Sequence, residues 1–157
     1  MRFKAYKIML KRAFIAEKLL KITFRRIAKL IKKSWRYRMP KFSAKSIANL
    51  ESCDCRLQAI FNYVIIYRDC SILCGYRGKD EQDRDFGRGK SRLKWPFSKH
   101  NKIPSQAVDV VPYPIDWDDI ERFEKFVQFV KMTAETMKIE IICGGNWGWD
   151  YPHFELA

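Results

Sequence analysis

The sequence predicts an α+β domain, a small antiparallel or mixed sheet with packed helices, preceded by a basic amphipathic helical segment. Three observations predict it. Short apolar runs of strand length alternate with stretches of helical periodicity, Pro and Gly stop the runs, and excess positive charge is confined to the first 38 residues.

Taken in order, residues 1–38 come first. Tyr6, Met9, Ala13, Ala16, Leu20, Phe24, Ile27 and Ile31 recur at three- and four-residue steps, with Lys4, Lys7, Lys11, Lys18, Lys21, Arg25, Lys29, Lys32 and Arg36 on the opposite face. Fourteen of the 31 basic residues lie here against one acid, Glu17, so the segment holds the entire net charge of +13. Residues 39–157 balance at 17 basic and 17 acidic. A cationic amphipathic helix suits an anionic membrane surface. A helix packed on the domain with its charges solvated is the plainer alternative. Met39-Pro40 opens the neutral stretch, which makes Met39 a candidate start and 39–157 the folded domain.

Ser52 or Asp54 then caps a helix carrying Leu57, Ile60, Phe61, Val64 and Ile65, and a buried strand, Ser71–Cys74, follows. Residues 77–99 are polar and Gly-rich, a loop with one helical turn around Asp80–Phe86. Ala107–Val111 reads as a strand ended by Pro112 and Pro114. Asp116 opens the clearest helix, with Ile120, Phe123, Val127, Val130, Ala134 and Met137 on one face. Ile139–Cys143 is a strand stopped by Gly144-Gly145, and His153–Leu156 is a last short strand.

Composition excludes several classes. A chain of 157 residues with 47% hydrophobic and 15% aromatic content folds around one core and is not disordered as a whole. No apolar run approaches the ~18–20 residues of a membrane-spanning helix. Lysines interrupt the N-terminal segment too often for a secretory signal. Nucleic acid is a weak partner, because the folded domain carries no excess positive charge and nothing in 1–38 reads bases. The five cysteines, Cys53, Cys55, Cys70, Cys74 and Cys143, are odd in number and suggest free thiols rather than a disulfide framework. A four-thiolate zinc site is disfavoured because Cys70 and Cys74 flank an apolar run.

There are only two histidines. His100 lies nine residues before Asp109, and His153 lies three residues after Asp150. Two imidazoles and one carboxylate make a three-ligand catalytic zinc set with a fourth position open. On residue type alone this is a suggestion, since a lone His is more often a surface or core residue.

Longer motifs surround these residues. Ser98-Lys99-His100 is followed by Pro104-Ser105, then Ala107-Val108-Asp109 and the extension VVPYP. Gly144-Gly145-Asn146-Trp147 precedes Asp150-Tyr151-Pro152-His153-Phe154-Glu155-Leu156, and GYRGKDEQ (75–82) spaces Arg77 and Gln82 five apart. In these motifs residues 40–157 resemble the zinc peptidases of the VanY and D-Ala-D-Ala carboxypeptidase family, particularly the phage L-alanyl-D-glutamate endolysins.

The resemblance implies a hedgehog/DD-peptidase-like fold and a monomeric enzyme that binds Zn²⁺ and cuts the stem peptide of peptidoglycan. It implies zinc ligation by His100, Asp109 and His153, general base and acid work by Asp150, and oxyanion stabilisation by Arg77 with Gln82 positioning it or the substrate. Ser98 would orient the His100 loop. The expected bond is L-Ala-D-Glu; a D-Ala-D-Ala carboxypeptidase and a catalytically weakened cationic wall- or membrane-binding protein are the alternatives. Such a protein is expected to be made in a host cytoplasm and to act on the wall or periplasm after release. Three departures bear on activity: Asn146 where relatives usually have Asp, Cys143 where many have Trp, and a short 147–150 connection.

Overall fold

Two short polar side chains begin the described part of the chain. The computed structural model describes residues 40–157; the expectations for 1–38 and for Met39 lie outside the described residues. Ser43 accepts a hydrogen bond from the Ser46 amide and starts α1 (Ala44–Glu51), and Asp54 accepts one from the Arg56 amide and starts α2 (Cys55–Tyr67). Helix α1 was not expected. It is eight residues long, too short for periodicity to show, and buries little beyond Ser46 and Leu50.

Strand β1 (Cys70–Cys74) leads to α3 (Lys79–Gly87), which is a nine-residue helix rather than the single turn expected. Asp80 and Glu81 in its first turn favour it through the helix dipole, a signal that strong polarity masked. A 3₁₀ turn (Lys99–Asn101) precedes β2 (Ala107–Pro112). The long helix α4 (Ile120–Thr136) is capped by Asp119, not Asp116, and Ile120 is exposed instead of joining the apolar face. Strand β3 covers only Ile141–Cys143; a second 3₁₀ turn (Gly144–Trp147) and β4 (His153–Leu156) close the fold.

The four strands form one sheet in the order β1-β2-β4-β3, with every neighbouring pair antiparallel. This narrows the antiparallel-or-mixed expectation to antiparallel. Strand alternation then separates core from site. Val108, Val110, Phe154 and Leu156 face the helices and are buried, with Phe61 of α2 and Phe126 of α4 packed edge-on against Phe154 at ring separations of 5.3 and 6.2 Å. Asp109, His153 and Glu155, one step out of phase, face the other way. Register makes Asp109 the direct partner of both His153 on β4 and Cys74 on β1, the latter beyond an irregularity after Ile72. Three polar side chains therefore stand in one row across three strands.

Candidate active site

His100 reaches that row from the 3₁₀ turn. Ser98 caps the turn by accepting from the His100 amide, and the Ser98 amide donates to Asn101 Oδ1, so the turn is closed at both ends. This matches the orienting part expected for Ser98. His100 is only 3% exposed.

Three donor atoms converge. His100 Nε2 and His153 Nδ1 are 3.3 Å apart, and each lies close to Asp109 Oδ1, at 3.3 and 3.1 Å. A tetrahedral zinc ion with bonds of about 2.0–2.1 Å separates its nitrogen and oxygen ligands by roughly 3.3 Å. The remaining ring nitrogens are engaged: His100 Nδ1 meets the Gly75 carbonyl at 2.7 Å, and His153 Nε2 meets Glu155 Oε2 at 3.0 Å. Outer partners of this kind fix which nitrogen faces a metal. Two ring nitrogens this close cannot both carry protons aimed at one another without repulsion. Without a metal both nitrogens can turn their protons to Asp109 Oδ1; with one, the same three atoms stand at the spacing a tetrahedral cation requires.

Charge follows the same logic. Burial opposes protonation of both imidazoles, but the Asp109 carboxylate outweighs it, raising His153 to about 8 and His100 further still. Burial would raise Asp109, yet the two imidazoles hold its carboxyl far below the usual carboxylate range. The hydrogen bond from His153 keeps Glu155 low, and Lys99 Nζ adds an ion pair at 3.4 Å.

Arg77 sits beside Asp109, with Nη2 at 3.2 Å from Oδ2. Its side chain is 13% exposed, so it is no surface charge. Asp85 lies 3.6 Å from its Nε, and Cys74 Sγ lies 3.6 Å from Nη2. Gln82 is fully buried. Its Oε1 accepts from Asn101 Nδ2 at 3.2 Å and lies 3.5 Å from Arg77 Nη1, while Nε2 donates to Ser91 Oγ and the Leu93 carbonyl. One amide thus ties the His100 turn, Arg77 and the 88–97 loop together.

Asp150 borders the same cleft, about 680 Å³ in volume, as His100, Asp109 and His153. Its carbonyl accepts from the His153 amide at 3.1 Å, closing the turn that sets both side chains side by side. Burial raises the Asp150 carboxyl above its usual range, with the Asp109 charge acting the same way and the imidazoles and Arg77 opposing. Gly144 makes this turn: a Cβ there would stand 2.3 Å from the Asp150 carbonyl oxygen and 3.0 Å from the Cβ atoms of Asp150 and His153.

All six expected site residues are brought to one cleft or to the shell directly behind it. Several others were missed. Glu155 and Gly75 hold the imidazoles. Trp147 stacks on His153 with centroids 5.7 Å apart and on Trp149 at 5.8 Å; both indoles are about half exposed on the cleft wall rather than in the core. Cys74 was weighed only as a strand thiol or a member of a disfavoured four-cysteine site, yet its Sγ and donor atoms of His100 and Asp109 all lie within 4.8 Å of one another, a second potential metal grouping that shares two residues with the first. Cross-strand register is what sequence lacked there. Among the described residues no four-cysteine group forms; Cys53, Cys70 and Cys143 are buried and Cys55 is exposed. The departures at 143 and 146 do not line the cleft, since Cys143 is in the core and Asn146 borders a different groove.

Comparison with known proteins bears on the family and the fold. A family model described as phage L-alanyl-D-glutamate peptidase matches residues 39–155. The crystal structure of the Serratia marcescens L-Ala D-Glu endopeptidase ChiX is similar at a TM-score of 0.65 and 26% identity, over 76% of this chain and 92% of that one. No curated protein matches.

Proposed function

The chain belongs to the phage L-alanyl-D-glutamate peptidase family, and on that premise we propose that it is a zinc-dependent endopeptidase hydrolysing the L-Ala-D-Glu bond of the peptidoglycan stem. The observation carrying the proposal is the convergence of His100 Nε2, Asp109 Oδ1 and His153 Nδ1 at 3.1–3.3 Å in a cleft that also holds an acid raised by burial. His100, Asp109 and His153 would hold the metal. A zinc ion supplies Lewis-acid polarisation of the scissile carbonyl and activation of water near neutral pH.

The protein's own residues do the rest. Asp150 has the task of taking the proton from the attacking water and returning it to the leaving amine. Its environment suits that exchange, because burial moves the carboxyl toward the working pH, where a base is both available and able to give its proton back. Arg77 pins the second oxygen of Asp109, and as a permanent cation lining the cleft it would stabilise the charge that the carbonyl oxygen gains. Gln82 acts through Arg77 and the His100 turn and is a positioning residue. Glu155 and the Gly75 carbonyl hold the imidazoles in the orientation the donor set requires.

The test is a digest of purified peptidoglycan, with and without a chelator, read by mass spectrometry. Chelator-sensitive release of fragments with a new D-Glu amino terminus is the expected result. Loss of a terminal D-Ala would make the protein a carboxypeptidase instead, and no cleavage with zinc bound would overturn the enzymatic reading.

A further inference from the structure

The cleft contains more positive charge than its acids use. Arg77 is engaged by Asp109 and Asp85, and Lys99 by Glu155. Lys90 and Arg92 line the same cleft, and among the described residues neither has an acidic partner within ion-pair distance. Both are exposed, yet the loop carrying them is braced. The amides of Lys90 and Ser91 donate to the Asp85 carbonyl at 2.9 and 3.2 Å, Gln82 holds Ser91 Oγ and the Leu93 carbonyl, and the Trp95 amide donates to Asp83 Oδ1 at 3.2 Å.

Arg92 itself is oriented. Its guanidinium lies 4.1 Å from the centre of the Trp149 ring, and the indoles of Trp149 and Trp147 continue the column down to His153. A guanidinium resting on an aromatic face keeps its N–H donors free at the edge, arranged to take a carboxylate by two parallel bonds.

We propose that Lys90 and Arg92 form an anion subsite on the cleft wall that takes a free carboxylate of the stem peptide. The inference rests on the peptidase reading above. Its ligand chemistry follows from the bond cut. A glutamyl residue acylated by alanine has two carboxyl groups, and continuing the chain consumes only one, so an anion always lies close to the leaving nitrogen unless it is amidated. Residues farther along the stem are the other source of a carboxylate, and the aromatic column from His153 to Arg92 gives a short run of extended peptide a surface to follow.

Three synthetic peptides containing acyl-L-Ala-D-Glu distinguish the sources: all carboxyls free, only the glutamyl carboxyl amidated, or only those beyond glutamate amidated. Zinc-loaded wild type is expected to prefer the fully free peptide over one amidated form by about tenfold in kcat/KM, and the disfavoured form names the source. Arg92→Gln and Lys90→Gln should flatten that preference through KM, while Arg92→Lys should keep its direction. Calorimetry of the metal-free protein should give the same order of binding. Equal cleavage of all three peptides by wild type overturns the subsite. So does an equal loss on all three in Arg92→Gln, which would mean that Arg92 only supports Trp149. If the metal-free protein binds with the charge preference but the zinc-loaded protein cleaves none, the subsite stands and the peptidase reading falls.

Discussion

Asp109 touches nearly every charged group at the centre of the site. One of its oxygens faces both imidazoles and the other faces Arg77. Removing either histidine removes one of the three donors, so His153→Ala should abolish zinc retention and cleavage together, measured by metal analysis after dialysis and by the peptidoglycan digest. Cys74→Ala separates the two overlapping groupings. If His100, Asp109 and His153 form the site, that variant retains zinc; its loss would assign the metal to the thiol-containing set. Asp150→Asn should keep zinc and lower kcat by about 10²–10⁴, the usual size of a lost general base.

The protonation of the metal-free site sets a further expectation at this scale. Beside Asp109, His153 is raised from an ordinary value near 6.5 to about 8. Its charged form therefore stabilises the metal-free fold fully below pH 6.5, and that contribution is lost as the pH rises through about 8. Zinc competes with the same proton, so zinc binding tightens over this interval. The Tm of chelated protein should fall between pH 6 and 9 while the gain in Tm from zinc grows. A zinc-induced gain that is independent of pH would contradict ligation by His153.

At the scale of elements, the two ties that set the site are Gly144 and Gln82. In Gly144→Ala the new methyl carbon would lie 2.3 Å from the Asp150 carbonyl oxygen, so the 144–150 turn must move. A shift of ~1 Å at the base costs on the order of 100-fold in rate. The variant should lose activity well beyond its loss of stability, compared by kcat and Tm. Gln82→Leu removes one of the two acceptors of the buried Asn101 Nδ2, leaving the Arg77 carbonyl, and takes away two of the ties on the 88–97 loop, at a cost of about 1–3 kcal/mol for an unsatisfied buried group. It should slow cleavage with zinc still bound, because none of the three donors is touched. These elements also show what was legible. The β2, α2, α4 and β4 segments could be read from apolar spacing and Pro and Gly stops, and His100, Asp109, Asp150 and His153 from motifs around them. Helix α1 was too short for periodicity, and polar α3 was hidden by its charge. Cys74, Glu155 and the Arg92–Trp149 contact depend on strand register and loop closure, which bring together residues with no shared local pattern.

For the whole chain, charge and chemistry are separated along the sequence. Residues 39–157 are balanced and include every residue of the site, while 1–38 carry the net +13. The family match also begins at residue 39. The fragment 39–157 should therefore fold and cut purified peptidoglycan at a rate close to that of the full chain. The role proposed for 1–38 on the strength of this charge is delivery to an anionic envelope. Attraction of about 1 kcal/mol per basic residue near such a surface is ample for fourteen of them, and it collapses as the screening length shrinks from about 8 Å in physiological salt to about 3 Å at 1 M. Full-length protein should bind anionic vesicles in a salt-sensitive manner and neutral ones weakly, and the fragment should bind neither. On intact cells the full chain should lyse where the fragment does not. Equal lysis by both would leave the basic segment with no part in delivery, and equal binding to neutral and anionic vesicles would remove the electrostatic basis for it.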